Sequence, residues 1–315
     1  MSKSKTREPA LVRKRSRIHA KGDRQLLAMS IPAMLKLLIF SYLPMIGIIM
    51  AFEDYLPRRG IFGSEFVGLK NFEFFFKSDD AFRVTRNTIL MNLIFIVTGL
   101  MVALALALLM SEIRSRFILK LVQTLMFLPY FISWTIGGIL MTTFLDTNGL
   151  ITQAIAQLTG TKINFYASPQ YWWIILPIMN IWKSAGVSSI IYYANILSID
   201  KSLYEAAAID GASRLQSTIH ITLPQLKTMM IVMTIMNLGN VIRADFGIFY
   251  FGTRNSSLLY PVTDVIDTYV FRALNSLGDF SMAAAVGLFQ SIVGCILVVS
   301  ANMVVRRINR QAALF

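Results

Sequence analysis

Residues able to do acid–base or charge-based chemistry are scarce in the long apolar stretches of this chain. Lys183, Arg243 and Asp245 lie within such stretches, and Lys36 lies close to the end of another. If the stretches span a membrane, each charge near a helix centre costs about 2.5 to 3.5 kcal/mol, so it usually faces a cavity or a partner. Four residues scattered along different stretches are poor material for acid–base catalysis. The sequence therefore predicts a protein that is not an enzyme.

Metal and nucleotide chemistry have no signature in the sequence. The histidines, His19 and His220, and the single cysteine, Cys295, are far apart and lack neighbours at metal-ligand spacing. A phosphate-binding Gly-Lys-Ser/Thr loop is also missing from the sequence. We therefore expect neither a metal site nor a cofactor in this chain.

The elements that must position these residues are predicted to be membrane-spanning helices. Hydrophobic residues make up 55% of the 315 residues and charged residues only 15%, against about 25% charged residues in soluble domains. Apolar runs of about 20 residues are long enough to cross about 30 Å of hydrocarbon. We predict an all-α, polytopic membrane domain over residues 30–306. Its six predicted spans are residues 30–52, 87–111, 119–145, 171–197, 226–250 and 280–305.

The net charge of +13 is unevenly distributed along the chain. If both termini lie on one side, the segments of that side carry 18 basic and 6 acidic residues, and those of the other side carry 9 and 10. This is the positive-inside pattern of a membrane protein, which excludes a nucleic-acid footprint and predicts two cytoplasmic termini. We predict that residues 1–29 form a basic cytoplasmic segment, either a solvated arm or one lying on anionic headgroups. We also expect residues 307–315 to form a cytoplasmic tail.

A polar segment, residues 198–225, separates the fourth and fifth predicted spans. Ser202–Glu205 and Ser213–Gln216 both match the capping box that begins a helix. Gly211 lies between them and can take the left-handed conformation that ends a helix, and Pro224 suits the first turn of the next one. We predict two short helices that meet at an angle at Gly211. The second has an apolar stripe formed by Leu215, Ile219 and Leu223.

The segment contains Glu205, Ala206, Ala207, Gly211, Ile221, Leu223 and Pro224 at a characteristic spacing. This spacing resembles that of the cytoplasmic loop of the permease subunits of binding-protein-dependent ABC importers. The family pattern is Glu-Ala-Ala, three residues, Gly, nine residues, Ile, one residue, Leu-Pro. The resemblance implies that the segment is a coupling helix, seated in a cleft of an ATPase subunit that the glutamate contacts. Completion of the first capping box is the alternative role of that glutamate, and the two roles are compatible.

The resemblance also implies partners and a location. ATP and Mg²⁺ would be bound by a pair of separate ATPase subunits, and a second homologous permease would complete a heterodimer. An extracytoplasmic binding protein would deliver the solute to this pair in the cytoplasmic membrane of a bacterium. A single-chain secondary transporter or channel is the less favoured alternative, because such folds are commonly built from repeats and the sequence shows none.

Three further segments resemble the carbohydrate subgroup of these permeases, especially those for oligosaccharides from complex polysaccharides. They are Tyr42–Met45, Phe66–Phe72 and Thr263–Val270. The predicted cargo is therefore an oligosaccharide, with a non-sugar solute as the alternative. If Lys183 and Arg243 line the pathway, they favour an acidic cargo such as an alginate- or pectin-derived oligosaccharide that contains uronate.

The predicted substrate pathway combines these charges with polar and aromatic residues of the fourth and fifth spans. Amide groups bind sugar hydroxyls, and aromatic rings stack on sugar faces. Packing between helices is the alternative role of the polar and aromatic residues, and a buried ion pair with Asp245 is the alternative for Arg243. The pathway candidates are Asn180, Trp182, Lys183, Tyr192, Tyr193, Asn240, Arg243 and Asp245.

Overall fold

The computed structural model describes residues 26–308. The basic segment predicted for residues 1–29 lies almost wholly outside this range, and so does most of the predicted tail, 307–315. Within the range the backbone is helical almost throughout. Its one sheet is a two-residue antiparallel pair, β1 (Glu53–Asp54) and β2 (Glu65–Phe66). The predicted all-α class is confirmed.

The first helix, α1, runs over Leu26–Phe52. It passes through a π-helical turn at Leu38–Tyr42 into a 3-10 helix at Leu43–Phe52, where Pro44 occupies the first turn. The remaining helices are α2 (Lys70–Lys77), α3 (Asp79–Ser111), α4 (Arg116–Phe127), α5 (Trp134–Leu145), α6 (Leu150–Thr159), α7 (Trp172–Leu197), α8 (Lys201–Ile209), α9 (Arg214–Ser217), α10 (Leu223–Leu238), α11 (Tyr260–Thr263), α12 (Ile266–Arg272) and α13 (Phe280–Ile308). Short 3-10 or π turns lie between them at Leu128–Phe131, Phe165–Ala167, Pro169–Tyr171, Thr218–Thr222, Ile248–Gly252, Ser257–Leu259 and Ala273–Leu277.

Five helical runs among the described residues are long and apolar enough to cross a membrane, and one bent pair raises the number to six. Six is the number of spans that the sequence predicts. The boundaries differ most for the third and fifth predicted spans, which are both interrupted. The five runs are Leu26–Phe52, Asp80–Ser111, Pro169–Leu197, Arg214–Leu238 and Phe280–Arg307.

The prediction of one continuous helix over residues 119–145 is wrong. The chain bends by 97° between Arg116–Phe131 and Trp134–Thr159. Pro129 lies in the turn before the bend and has no N–H to continue an α-helix. Ser133 then begins α5, because its side chain accepts a hydrogen bond from the N–H of Ile136. The third span is therefore two half-helices with a break after Phe131.

The prediction of a continuous fifth span over residues 226–250 is wrong as well. α10 ends at Leu238, and irregular backbone up to Asp245 separates it from the π turn at Ile248–Gly252. No proline lies at this break. Irregular backbone is tolerated at membrane depth only where other groups satisfy its N–H and C=O groups, so neighbouring helices must supply partners here.

α3 and α7 form the central pair of helices. Ala103 and Ala107 of α3 are fully buried, and they pack with Tyr192 of α7 in one apolar cluster. α4 crosses α7 closely at Gly186, where an added Cβ would lie 2.0 Å from the carbonyl oxygen of Met126. Small residues permit such close approach of helices in membranes. The result is a rigid wall made by three helices.

A buried carboxylate anchors the segment between the fifth and sixth spans to the start of α3. Asp264 is 1% exposed and accepts hydrogen bonds from Arg83 at 3.0 Å and from Arg272 at 2.7 Å. Asn87 of α3 donates to the backbone carbonyl of Asp264 at 3.0 Å. Both carboxylate oxygens thus have a cationic partner, which offsets the cost of burying the charge.

The substitution Asp264→Asn should lower the free energy of unfolding by about 3 kcal/mol, because two arginines lose the charge that holds them. Thermal unfolding in detergent measures the change. Asp80→Asn is the matched control, since Asp80 pairs with the same Arg83 at 2.8 Å but is 44% exposed. We expect this control to cost about 0 to 1 kcal/mol. Equal losses in the two variants would contradict the anchoring role of Asp264.

Candidate functional site

The predicted coupling segment forms two short helices that meet at Gly211, as the sequence indicates. Gly211 has a φ of +75°. The N–H of Gly211 donates to the carbonyl of Ala208 at 3.1 Å, and that of Ala212 to the carbonyl of Ala207 at 2.9 Å. These two bonds make the Schellman motif that ends α8, which requires a left-handed residue after the helix. The elbow between α8 and α9 is therefore fixed by backbone geometry.

One of the two predicted capping boxes is present. Ser213 and Gln216 cap α9 reciprocally, with the side chain of Gln216 accepting from the N–H of Ser213 at 2.7 Å. The predicted box of Ser202 and Glu205 is wrong. Asp200 begins α8 by accepting from the N–H of Ser202 at 3.0 Å, and this bond lowers the pKa of the Asp200 carboxyl. Glu205 consequently lies in the second turn, exposed to solvent.

The coupling segment presents a surface of small and apolar residues. Ile209 is 88% exposed, Leu215 69% and Ile219 47%, so two of the three residues of the predicted stripe, Leu215 and Ile219, are exposed. Ala206 is exposed beside them, while Ala207, Ile221 and Leu223 are half-buried. An apolar patch of this kind on a polar segment indicates an interaction site for another protein.

α9 is joined to the fifth span without a break. The π turn at Thr218–Thr222 leads from α9 into α10, and Pro224 lies in the first turn of α10 as predicted. Two contacts tie this helical run to its surroundings. Tyr204 and Thr222 share a hydrogen bond of 2.8 Å, and Arg214 pairs with Glu112 at 2.9 Å. α9, the π turn and α10 therefore form one continuous helical run.

A cavity of about 410 Å³ lies between α3, α7 and α10. Small-ligand pockets measure about 300 to 1,000 Å³. Ser184, Ser188 and Asn237 add polar groups to its walls, and Phe95 adds an aromatic ring. Five of the eight predicted pathway residues lie in its lining, namely Asn180, Tyr192, Asn240, Arg243 and Asp245.

The other three candidates lie elsewhere. Trp182 lines a separate, apolar groove of about 500 Å³ with residues of α5 and α6. Tyr193 is 9% exposed and packs in the apolar cluster between α3 and α7. Lys183 donates to the carbonyl oxygens of Tyr130 and Ile132, the first at 3.2 Å. Lys183, the one cationic residue of the fourth span, thus binds backbone carbonyls at the break in the third span.

The break in the fifth span has side-chain partners from three directions. Asn92 of α3 donates to the carbonyls of Val241 and Arg243 at 2.8 and 3.0 Å. Gln290 of α13 donates to the carbonyl of Ile242 at 2.9 Å. A further bond, of 2.7 Å, runs from the N–H of Ala244 to the carboxylate of Asp267 in α12. Burial raises the pKa of the Asp267 carboxyl.

These partners hold Arg243 and Asp245 at the cavity. Arg243 is exposed there, and its guanidinium donates to the hydroxyl of Ser291 at 2.8 Å. Asp245 accepts from the N–H of Gly247 at 3.0 Å and from the indole of Trp134 at 2.5 Å. Within residues 26–308, no ion pair joins Arg243 to Asp245. The guanidinium therefore has a neutral hydroxyl as its hydrogen-bond partner, and its charge also acts on the partly buried carboxyl of Asp267.

Sequence reasoning missed Asn92, Gln290 and Trp134. Asn92 and Trp134 form hydrogen bonds with residues 149 and 111 positions away, and Gln290 with a carbonyl 48 positions away. No local sequence pattern therefore marks them. Pro129 was a local signal for the break in the third span. Metal ligation has no support among the described residues, where His, Cys, Asp and Glu form no group of three suited to an ion.

Comparison with known proteins places this chain among transport proteins. Residues 95–310 match the family described as binding-protein-dependent transport system inner membrane component. The polygalacturonan/rhamnogalacturonan transport system permease protein YteP of Bacillus subtilis (strain 168) is 38% identical over 300 residues, which are 95% of this chain and 93% of that protein.

Two solved structures share the fold over nearly the whole chain. One is a bacterial ABC transporter involved in the import of the acidic polysaccharide alginate, with 33% identity and a TM-score of 0.83 over 94% of this chain and 99% of that one. The other is a bacterial alginate ABC transporter in complex with an alginate pentasaccharide-bound periplasmic protein. It is 34% identical, with a TM-score of 0.82 over 91% of this chain and 96% of that one.

Lys183→Met should destabilise the protein by about 2 kcal/mol, because the carbonyls of Tyr130 and Ile132 lose a charged donor in apolar surroundings. Thermal unfolding of the detergent-purified protein measures the loss. Lys162→Met is the control, since Lys162 makes an exposed hydrogen bond to Asn148. If both lysine variants unfold at the same temperature as the original protein, Lys183 does not support the break.

Proposed function

We propose a cargo and an energy source for this chain on the premise that it belongs to the family of binding-protein-dependent transport system inner membrane components, and so is a permease subunit of an ABC importer. The proposed cargo is an acidic oligosaccharide. The observation that carries the proposal is the cavity between α3, α7 and α10, in which the exposed guanidinium of Arg243 lies among amide and hydroxyl groups.

The lining of the cavity suits a sugar that carries carboxylates. Asn180, Asn237 and Asn240 offer donors and acceptors to hydroxyl groups, and Tyr192 offers an aromatic ring. Arg243 can bind a carboxylate with two parallel hydrogen bonds, which fixes its position as well as its charge. The relatives support this cargo, because alginate and polygalacturonan are both polymers of uronic acids. The negative charge of Asp245 disfavours an acidic cargo, but this carboxylate accepts a hydrogen bond from the indole of Trp134.

ATP hydrolysis by a separate subunit is the proposed energy source. The exposed patch of Ile209, Leu215 and Ile219 would lie in a cleft of an ATPase that binds ATP and Mg²⁺, with Glu205 and Ala206 at the same contact. This chain would contribute no catalytic residue of its own. Closure of the ATPase pair would move α9, and the continuous run into α10 would move the wall of the cavity. The cargo would thus pass by alternating access.

The proposed complex contains a second, different permease and a sugar-binding protein. α1 supports a partner or lipid at its surface, because its apolar side chains between Leu26 and Met45 are exposed. The periplasmic protein in the alginate transporter complex supports delivery by a binding protein. The coupling segment and both termini would lie in the cytoplasm, and the segment that Asp264 anchors would face the binding protein.

Arg243→Gln should lower uptake of an acidic oligosaccharide by about tenfold or more, because a charged hydrogen bond to a carboxylate is lost. Radiolabelled trimers of uronate and of a neutral sugar, offered to the reconstituted complex with its binding protein, measure the effect. Arg243→Lys is the control, since it keeps the charge and should retain most of the uptake. Unchanged uptake of the acidic trimer by Arg243→Gln would refute the acidic cargo.

Gly211→Ala should weaken copurification with the ATPase. A left-handed conformation costs an L-residue about 1 to 2 kcal/mol, so alanine disfavours the backbone conformation that forms the elbow. An added Cβ at Gly211 meets no atom within 4 Å, so the effect is one of backbone alone. Gly160→Ala is a matched control, with a φ of +72° and equally open space at the end of α6. The ATPase retained on an affinity column is measured. Equal retention by both variants would contradict a coupling role for the elbow.

A further inference from the structure

Trp134 lies where the two broken spans meet. It is the first residue of α5, directly after the break in the third span. Its indole N–H donates to Asp245, which ends the irregular backbone of the fifth span, at 2.5 Å. Gly247 follows in the same span and lies against the ring, since a Cβ there would be 2.3 Å from Cδ1 of Trp134. One side chain thus contacts the second half of both spans.

Lys183 approaches the same ring from its face. Its Nζ lies 5.1 Å from the ring centroid and also donates to the carbonyl of Tyr130. A cation is attracted to the face of an indole and an anion to its N–H edge, so the two contacts reinforce one another. Trp134 therefore links the charges of Lys183 and Asp245, which are both costly in a membrane, through its ring.

This junction lies at the end of the cavity that faces away from the coupling segment. α7 runs from Trp172 to Leu197, immediately before the coupling segment, and the cavity extends along it from Asn180 to Tyr192. Arg243 and Asp245, in the break of the fifth span, complete the lining. The cavity thus extends toward the coupling side, and Trp134 and Asp245 join the helices around its far end.

We propose that the hydrogen bond between Trp134 and Asp245 is a latch that keeps the cavity closed on its far side and breaks when the cavity opens there. Trp134 is a positioning residue in this scheme, because it holds Asp245 and the half-helix α5 and does not itself bind the cargo. The latch rests on the proposed function only in requiring alternating access, and it is independent of which solute is carried.

Loss of the latch has a predictable direction. Closure of the ATPase pair draws the coupling segments together, which closes the cavity on their side and opens its far side. A variant without the latch bond populates the far-side-open conformation more, by about tenfold for one hydrogen bond to a charged group. Because that conformation is the one in which the ATPase pair is closed, ATP hydrolysis without cargo rises with it.

The test uses the whole complex, reconstituted in vesicles with neither binding protein nor cargo. Trp134→Phe removes the N–H and keeps a ring beneath Lys183. We expect its ATP hydrolysis to rise by about tenfold over the original complex, the change in population for one such bond. Trp173→Phe is the control, because it makes the same exchange at a partly buried residue about two helical turns before Asn180, where the cavity lining begins. It should leave the rate unchanged. An equal rate in Trp134→Phe and the original complex overturns the latch.

A double-mutant cycle tests whether the two residues act together. Asp245→Ala should also raise cargo-free hydrolysis, and the double variant with Trp134→Phe should rise no further, because both remove one bond. Asp245→Asn keeps an acceptor and should raise the rate less than Asp245→Ala. Multiplicative effects in the double variant overturn the proposal. Yield of the complex with bound ATPase shows that each variant has folded.

Thiol labelling measures the conformation independently of the ATPase. In a Cys295→Ser background, Ser188→Cys places one thiol in the cavity. A membrane-impermeant maleimide applied from the coupling side should label it more slowly when Trp134→Phe is added. Equal labelling rates contradict the latch. If uptake of acidic oligosaccharides fails while these cargo-free changes occur, the proposed cargo is wrong and the latch stands.

Discussion

Every carbonyl group that a break releases in an apolar helix needs a donor, and the structure of this protein depends on how those donors are supplied. The third and fifth spans are both interrupted within the membrane domain. Lys183 donates to the carbonyls at the first interruption, and Asn92 and Gln290 donate to those at the second. Since an unsatisfied backbone group in hydrocarbon costs several kcal/mol, these three side chains make the interrupted helices possible.

This requirement divides the charged residues of the membrane domain between two tasks. Lys183 donates to two backbone carbonyls, and Asp245 accepts from a backbone N–H and from Trp134. Arg243 donates a hydrogen bond to the hydroxyl of Ser291, interacts through its charge with Asp267, and remains exposed in the cavity. The same interruptions that need support therefore also bring a guanidinium to the cavity wall, at a place that a regular helix would not offer.

The features that the sequence predicts correctly depend on local chemistry. Gly211, the box of Ser213 and Gln216, and the number of spans follow from residue types within a few positions or from hydrophobic length. The box of Ser202 failed because Asp200, two residues earlier, is an equally good cap and carries a charge that favours a helix N-terminus.

The interruptions themselves lie beyond such local reading. Hydropathy does not distinguish a continuous apolar helix from two apolar halves, so it predicts a single helix for each of the spans 119–145 and 226–250. Pro129 marks the first break in the sequence, but the second depends on Asn92 and Gln290, which lie about 150 and 50 positions from it. Of the pathway residues, those facing the cavity and those facing neighbouring helices differ only in orientation, which sequence alone does not resolve.

In the proposed mechanism, the helical run from Arg214 to Leu238 would act as a mechanical lever between the coupling segment and the cavity. Its 25 residues make a rod of about 37 Å at 1.5 Å per residue. A tilt of about 10° at one end of such a rod displaces the other end by about 6 Å, roughly one helical turn. The amplitude of the proposed motion at the cavity would therefore depend on the length and stiffness of this rod, and a more flexible π turn at Thr218–Thr222 would reduce it.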